Sequence, residues 1–167
     1  VDHAVVMEYD PSESLARSLS RWSHGQPLPN ITIPIQDTPC STVITTGQPY
    51  YCCSKLSEAY PNLEDASCCS TECYLGVPLL DGEGQVLGSL FVLNHEPFRD
   101  PQEAEAILIL FATKISAELR RQRAQAALHL AYVEMEQRVA DRTQELQAAN
   151  KRLPAVARRE RATAQVI

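Results

Sequence analysis

Five of the six cysteines, Cys52, Cys53, Cys68, Cys69 and Cys73, crowd into one short stretch, with Cys40 upstream. Thiolates are soft donors, and four of them hold zinc tetrahedrally or ligate an iron–sulfur cluster. The spacing here matches no familiar zinc pattern. Successive side chains on a strand point to opposite faces, so at most one of each adjacent pair can serve the same metal. The candidate donor set is therefore Cys52, Cys68 and Cys73, with Cys53 or Cys69 as exchangeable members and Cys40 a distant fourth. Two other readings stay open. A thiol pair could switch by forming a disulfide, which requires Cα atoms within about 7 Å. Cysteine is also a small apolar residue that is often simply buried.

Other candidate chemistry is thinner. Ser41 beside Cys40, and the acids Glu64, Asp65 and Glu72, have no histidine nearby in sequence to act as a base, and no nucleophile elbow is present. Solvation of loops explains them. Trp22, Tyr50 and Tyr51 could line a pocket for a planar ligand or pack in the core. The four histidines, at 3, 24, 95 and 129, lie far from the cysteines in sequence. The expectation is a chain that catalyses nothing by itself.

The 167 residues suffice for one domain with a real core plus an appendage. A formal charge of −6 speaks against broad attraction to nucleic acid. The basic run Arg120 to Arg123 sits within a helical pattern and fits a solvated face. No apolar run approaches the roughly 20 residues that span a bilayer. The first residues show no basic region followed by an apolar stretch, as a secretory signal would. A cytoplasmic protein with reduced thiols, metal ligands or redox groups is expected.

Positioning these residues falls to a mixture of strands and helices. "HAVVMEYD" and "SLARSLSRWS" predict two antiparallel strands joined at "PSES". Prolines 27, 29, 34 and 39 leave the next segment as extended loop over the sheet. "CSTVITT" predicts a short helix capped by Thr38 and closed by Gly47. "YYCC" follows as a short strand, then a helical turn broken at Pro61. "CYLGVPLL" and "VLGSLFVLN", separated by "DGEG", form the clearest hairpin and should be the central strands. Gly76 and Gly88 lie within it, where close backbone approach explains them.

From Pro101 the period becomes helical. Ala104, Ile107, Leu108, Phe111 and Ile115 form a stripe expected to lie on the sheet. Beyond it Tyr132, Val139, Leu146 and Leu153 fall at position a of a heptad, and Leu128, Met135, Arg142 and Ala149 at position d, a coiled-coil seam. A helix from Pro101 to Pro154 would be about 80 Å long. Its distal half needs a partner, and the same helix of a second copy, parallel and side by side, is the economical one. Arg142 within the seam weakens it.

The order of elements, "TPCSTVITTGQPYYC" at 38–52 and "CYLGVPLLDGEGQVLGSLFVLNHEPF" at 73–98 together resemble a GAF domain of bacterial sensor proteins. "RVADRTQEL" with the residues around it resembles the signalling linker of histidine kinases and related two-component proteins. The resemblance implies an α+β fold: a GAF-like antiparallel sheet flanked by helices, with a long C-terminal coiled-coil helix. It implies a sensor domain over 1–121 lacking the usual N-terminal helix, a signalling helix over 122–153, and a linker over 154–167 to a downstream domain outside this chain. In GAF domains the strand at "YYCC" and the loop before "YLGVPL" border the ligand pocket, which makes Tyr51, Cys53, Cys69, Cys73 and Tyr74 the pocket candidates. The ligand or cofactor stays unnamed. Asn94, Phe98 and Glu103 match the motif of cyclic-nucleotide-binding GAF domains, but His95 and Gln102 replace its Lys and Asp, so their ion pair cannot form. No cysteine precedes a histidine, as bilin attachment in phytochromes requires. Small-molecule sensing coupled to a homodimeric helix is the implied function; redox or metal sensing by the cysteines, and a purely structural dimerisation module, are the alternatives. A GAF-type reductase acting on oxidised methionine is the enzymatic one.

Overall fold

The structure is a computed structural model that describes residues 1–53, 56–60 and 72–164. It divides into two units, Val1–Arg120 and Arg121–Ile167.

The first unit is built on one antiparallel sheet. Strands β1 (His3–Asp10), β2 (Leu15–Ser23), β3 (Gln26–Pro27), β4 (Thr32–Pro34), β5 (Tyr50–Cys53), β6 (Cys73–Leu80) and β7 (Val86–Asn94) alternate with helices α1 (Pro39–Thr46) and α2 (Leu56–Ala59). The order across the sheet is β3-β2-β1-β7-β6-β5, with β4 also pairing to β2. The expected α+β class holds. The hairpin β6–β7 forms as expected, with β7 at the centre and β6 beside it. Its turn is fixed by Asp81, whose Oδ1 accepts from the amides of Glu83 and Gln85 at 2.8 Å, and by Gly84 at φ 84°.

Two expectations are corrected here. The proline-rich segment is not loop throughout, because β3 and β4 find edge positions on β2, where a strand tolerates proline. Thr38 stands at the N-cap of α1 but makes no side-chain cap bond; its hydroxyl donates instead to the Ile35 carbonyl at 2.6 Å. Pro39 pre-sets the first turn, and Gly47 ends α1 in the left-handed region with its amide on the Val43 carbonyl.

Strand alternation creates two cores. On one face Val5, Met7, Tyr74, Phe91 and Leu93 pack with Cys40, Val43 and Ile44 of α1 and Leu56 of α2. On the other, Leu75, Val77, Leu79, Leu90 and Val92 meet helix α3 (Pro101–Ala164) through Leu108, Ala112 and Leu119. The row of α3 against the sheet is rotated from the expected stripe: Ala112 is buried, whereas Ile107 and Phe111 are 47% and 58% exposed. The apolar stripe is wider than the face the sheet can cover, so its edge stays open. Asp100 starts α3, its Oδ1 accepting from the amides of Gln102 and Glu103 at 3.0 Å.

The second unit is the remainder of α3. Leu128, Tyr132, Met135, Val139 and Leu146 of the expected seam are all more than half exposed. The helix passes Pro154, where a linker was expected, and continues to Ala164. A proline inside a helix removes one backbone hydrogen bond but does not always end the helix.

Candidate functional site

The polar and sulfur-bearing groups of the first core gather where β5 and β6 pass under α1. Tyr50 and Cys52 of β5 point to this face, together with Tyr60, Tyr74 and Cys40. Tyr74 is fully buried, its ring 5.3 Å from that of Phe91 and 6.1 Å from that of Tyr50. Its hydroxyl donates to Cys40 Sγ at 3.6 Å, and the Tyr60 hydroxyl donates to that of Tyr50 at 3.5 Å. The ring of Tyr74 lies over Gly76, where any Cβ would collide with it. Burial pushes the Cys40 thiol up to about 11, despite the Tyr74 hydroxyl that favours its charged form. Burial, then the neighbouring Cys40, raises Tyr74 well above its ordinary value, and the Tyr60 hydroxyl raises Tyr50. Cys40, Tyr50 and Tyr74 are protonated at neutral pH, so the face presents hydrogen-bonding hydroxyls and an unreactive Cys40 thiol. Ser89 adds a buried hydroxyl beside the Cys40 thiol.

The opposite face holds Tyr51, Cys53 and Cys73. Cys53 and Cys73 pair directly across the β5–β6 ladder and form a disulfide, with Cα atoms 4.2 Å apart. Tyr51 is 37% exposed and leans on Phe98 at a ring separation of 6.1 Å. The pocket candidates Tyr51, Cys53 and Cys73 are thus on the α3 side of the sheet, and Tyr74 is on the α1 side. Cys68 and Cys69 lie outside the described residues. The donor set Cys52, Cys68 and Cys73 meets a geometric obstacle: Cys52 is opposite Tyr74 and Cys73 opposite Cys53, so the sheet separates Cys52 from Cys73. Among the described residues no group of three His, Cys, Asp or Glu side chains is placed to hold a metal ion. On the α3 side an apolar groove of about 390 Å³ runs between β1, β7 and α3, walled by Val1, Ala4, Val92, Phe98, Ile107 and Phe111. Such a wall offers no polar side chain to orient a small ligand.

Asn94 closes β7 with its side-chain amide on the Glu96 carbonyl at 2.7 Å, and Phe98 packs on the second core. Both have structural employment. The sequence reading missed one cluster: His3, His24 and His95 gather around Asp2 at the end of the sheet. Nothing local announces it. Only the placement of β1 between β2 and β7 brings the three imidazoles together.

The family model described as GAF domain matches residues 1–119. The chain belongs to the GAF domain family. The GAF domain from a phosphoenolpyruvate-protein phosphotransferase of Coxiella burnetii is 20% identical, with a TM-score of 0.59 over 75% of this chain and 76% of that one. The GAF domain of the Acinetobacter phosphoenolpyruvate-protein phosphotransferase is 16% identical at a TM-score of 0.59, covering 75% of each chain. A type II free methionine-R-sulfoxide reductase from Thermoplasma acidophilum is 17% identical at a TM-score of 0.55, over 70% of this chain and 77% of that one. These likenesses show the GAF fold. No curated protein matches the sequence. No helix among the described residues is long and apolar enough to cross a membrane.

Proposed function

We propose that this GAF domain is the sensing module of a two-component signalling protein and that it passes its state to an output domain through a parallel pair of α3 helices. The observation that carries this reading is the exposed seam on α3. Leu128, Tyr132, Met135 and Val139 step by three and four residues, Leu146 follows one heptad later, and all are open to solvent in a single chain. Unpartnered apolar residues at that period are covered by a second helix of the same kind. A coiled coil with two nearly equal packings is biased by a few kcal/mol of differential binding in the domain it joins. In this reading the chain has no catalytic activity of its own and works in the cytoplasm. Sedimentation velocity of the full chain tests it: a dimer at micromolar concentration is expected, and single molecules at several hundred micromolar would remove the transmission mechanism.

The pair Cys53 and Cys73 supports a second reading, a redox input. Two thiols become one disulfide by losing two electrons and two protons, and hydrogen peroxide taking them up leaves two waters. Closing the pair ties β5 to β6 at the residue next to Tyr74. The Thermoplasma enzyme shares the fold, so an assay on free methionine sulfoxide is the appropriate control; turnover would replace sensing by catalysis.

A further inference from the structure

We propose that Asp2, His3, His24 and His95 form a proton-sensitive switch at the end of the sheet from which the chain leads into α3. The topology builds it. His3 opens β1 and is paired with Ser23 on one side and Leu93 on the other. His24 and Gly25 make the turn that follows β2, both at positive φ. His95 is the first residue past β7, six positions before the start of α3. The three rings stand 5.4, 6.5 and 6.1 Å apart between centroids. Asp2 ties them to one another. Its carboxylate accepts from the His95 amide at 2.8 Å and meets His95 Nδ1 at 2.5 Å, with His24 Nδ1 3.9 Å from its other oxygen. The Asp2 carbonyl accepts from the His24 amide at 2.8 Å.

The charge balance makes this corner respond to acid. One carboxylate can neutralise one imidazolium. Further protons must be placed on rings within about 6 Å of an existing positive charge, where like charges repel. His3 bears most of that cost. It is 6% exposed, and the titratable and charged groups around it are Asp2 just before its strand, Arg21 and His24 from β2 and its turn, and His95 past β7. Burial first, then His24, depresses its affinity for a proton below the ordinary 6.5, with Asp2 pulling the other way. A histidine held neutral in the folded state binds fewer protons there than when unfolded. Its contribution to stability is therefore complete above 6.5 and is lost as pH falls through and below that value. Acidification strains the joint between β1, β2 and β7 at the point where the connection to α3 is anchored. The switch does not rest on the dimer or on the cysteines, and its failure would leave the proposed function standing.

Nuclear magnetic resonance of the full chain from pH 8 to pH 5 tests the switch, following the imidazole carbon-bound protons of wild type, His24→Gln and His95→Gln. The His3 midpoint is expected below 6.5 in wild type and higher in His24→Gln. Hydrogen exchange adds the structural readout: protection of the His24 and His95 amides, corrected for intrinsic rate, should fall at least several-fold between pH 7.5 and 5.5. Melting over the same range should drop in wild type and less in His3→Gln, each tenfold weakening of folding lowering Tm by roughly 3 °C for a chain of this size. A His3 midpoint at or above 6.5, a midpoint indifferent to His24→Gln, or amide protection unchanged at pH 5.5 would each overturn the proposal. Should His3→Gln fail to fold, the His24→Gln midpoint decides alone.

Discussion

Cys53 and Cys73 face each other across the β5–β6 ladder, their Cα atoms 4.2 Å apart, and close a loop with a sequence separation of 20. A cross-link removes conformational freedom from the unfolded chain, worth roughly 3 kcal/mol for a loop of this length. Protein purified without reductant is expected to alkylate at neither cysteine and to lose about that much stability on reduction. Urea unfolding with and without dithiothreitol measures the difference, and the double variant Cys53→Ser with Cys73→Ser should be insensitive to reductant at this pair.

Gly76 is the counterpart of Tyr74 on the same strand. The tyrosine ring lies where a Gly76 Cβ would stand, its Cζ only 2.6 Å from that point. Tyr74 is fully buried and has nowhere to retreat. Gly76→Ala is therefore expected to destabilise the domain by roughly 1 to 3 kcal/mol through overpacking. Combining it with Tyr74→Leu, which vacates the space, should cost clearly less than the two single changes added together. Strict additivity in chemical denaturation would show that the two residues do not compete for the same volume.

Burial of Cys40 has a measurable alkaline consequence. The folded thiol keeps its proton up to about 11, whereas the unfolded one loses it near 9.0. Between these values the folded state binds more protons, so stability is complete below 9.0 and is lost as pH rises, by roughly 2 kcal/mol at pH 11. Tyr74, also raised, adds a loss in the same direction at higher pH. Thermal melts from pH 8 to pH 10.5 should fall more steeply for wild type than for Cys40→Ala. Parallel curves would show that Cys40 does not titrate as a buried thiol.

Local signals in the sequence carried the elements well and the site poorly. Gly47 after α1, Pro101 in the first turn of α3 and "DGEG" between β6 and β7 each act on a few neighbouring residues, so their consequences are legible without the fold. Which face a residue of β5 presents depends on its register against β6, and "YYCC" offers similar residues to both faces. The division of Tyr51 and Cys53 from Tyr50 and Cys52 is therefore a property of the sheet. The phase of α3 escaped for a related reason: Ala112 is small enough to lie against the sheet, while the larger Ile107 and Phe111 remain at its margin. The histidine cluster is the extreme case. Residues 3, 24 and 95 share no motif and meet only through the order β2-β1-β7.

Arg142 would be the weak point of the proposed α3 pairing, and its replacement gives the sharpest test of it. It falls at an expected d position between Val139 and Leu146 and forms an ion pair with Glu145 at 3.1 Å. Both side chains of that pair are more than 65% exposed, so it contributes little to the helix. In a parallel pair, each copy would bring its guanidinium to the same level of the seam, and the two charges would repel or force water into the interface. Arg142→Leu removes the repulsion and supplies an apolar knob from each chain. If α3 pairs in this register, the variant should dimerise about tenfold or more tightly than wild type, with a higher concentration-dependent Tm. Val139→Asn with Leu146→Asn should act oppositely and shift the equilibrium toward monomer, while the GAF core still melts cooperatively. Sedimentation equilibrium over a hundredfold concentration range separates these outcomes. Equal association of wild type and Arg142→Leu would place the seam outside any interface.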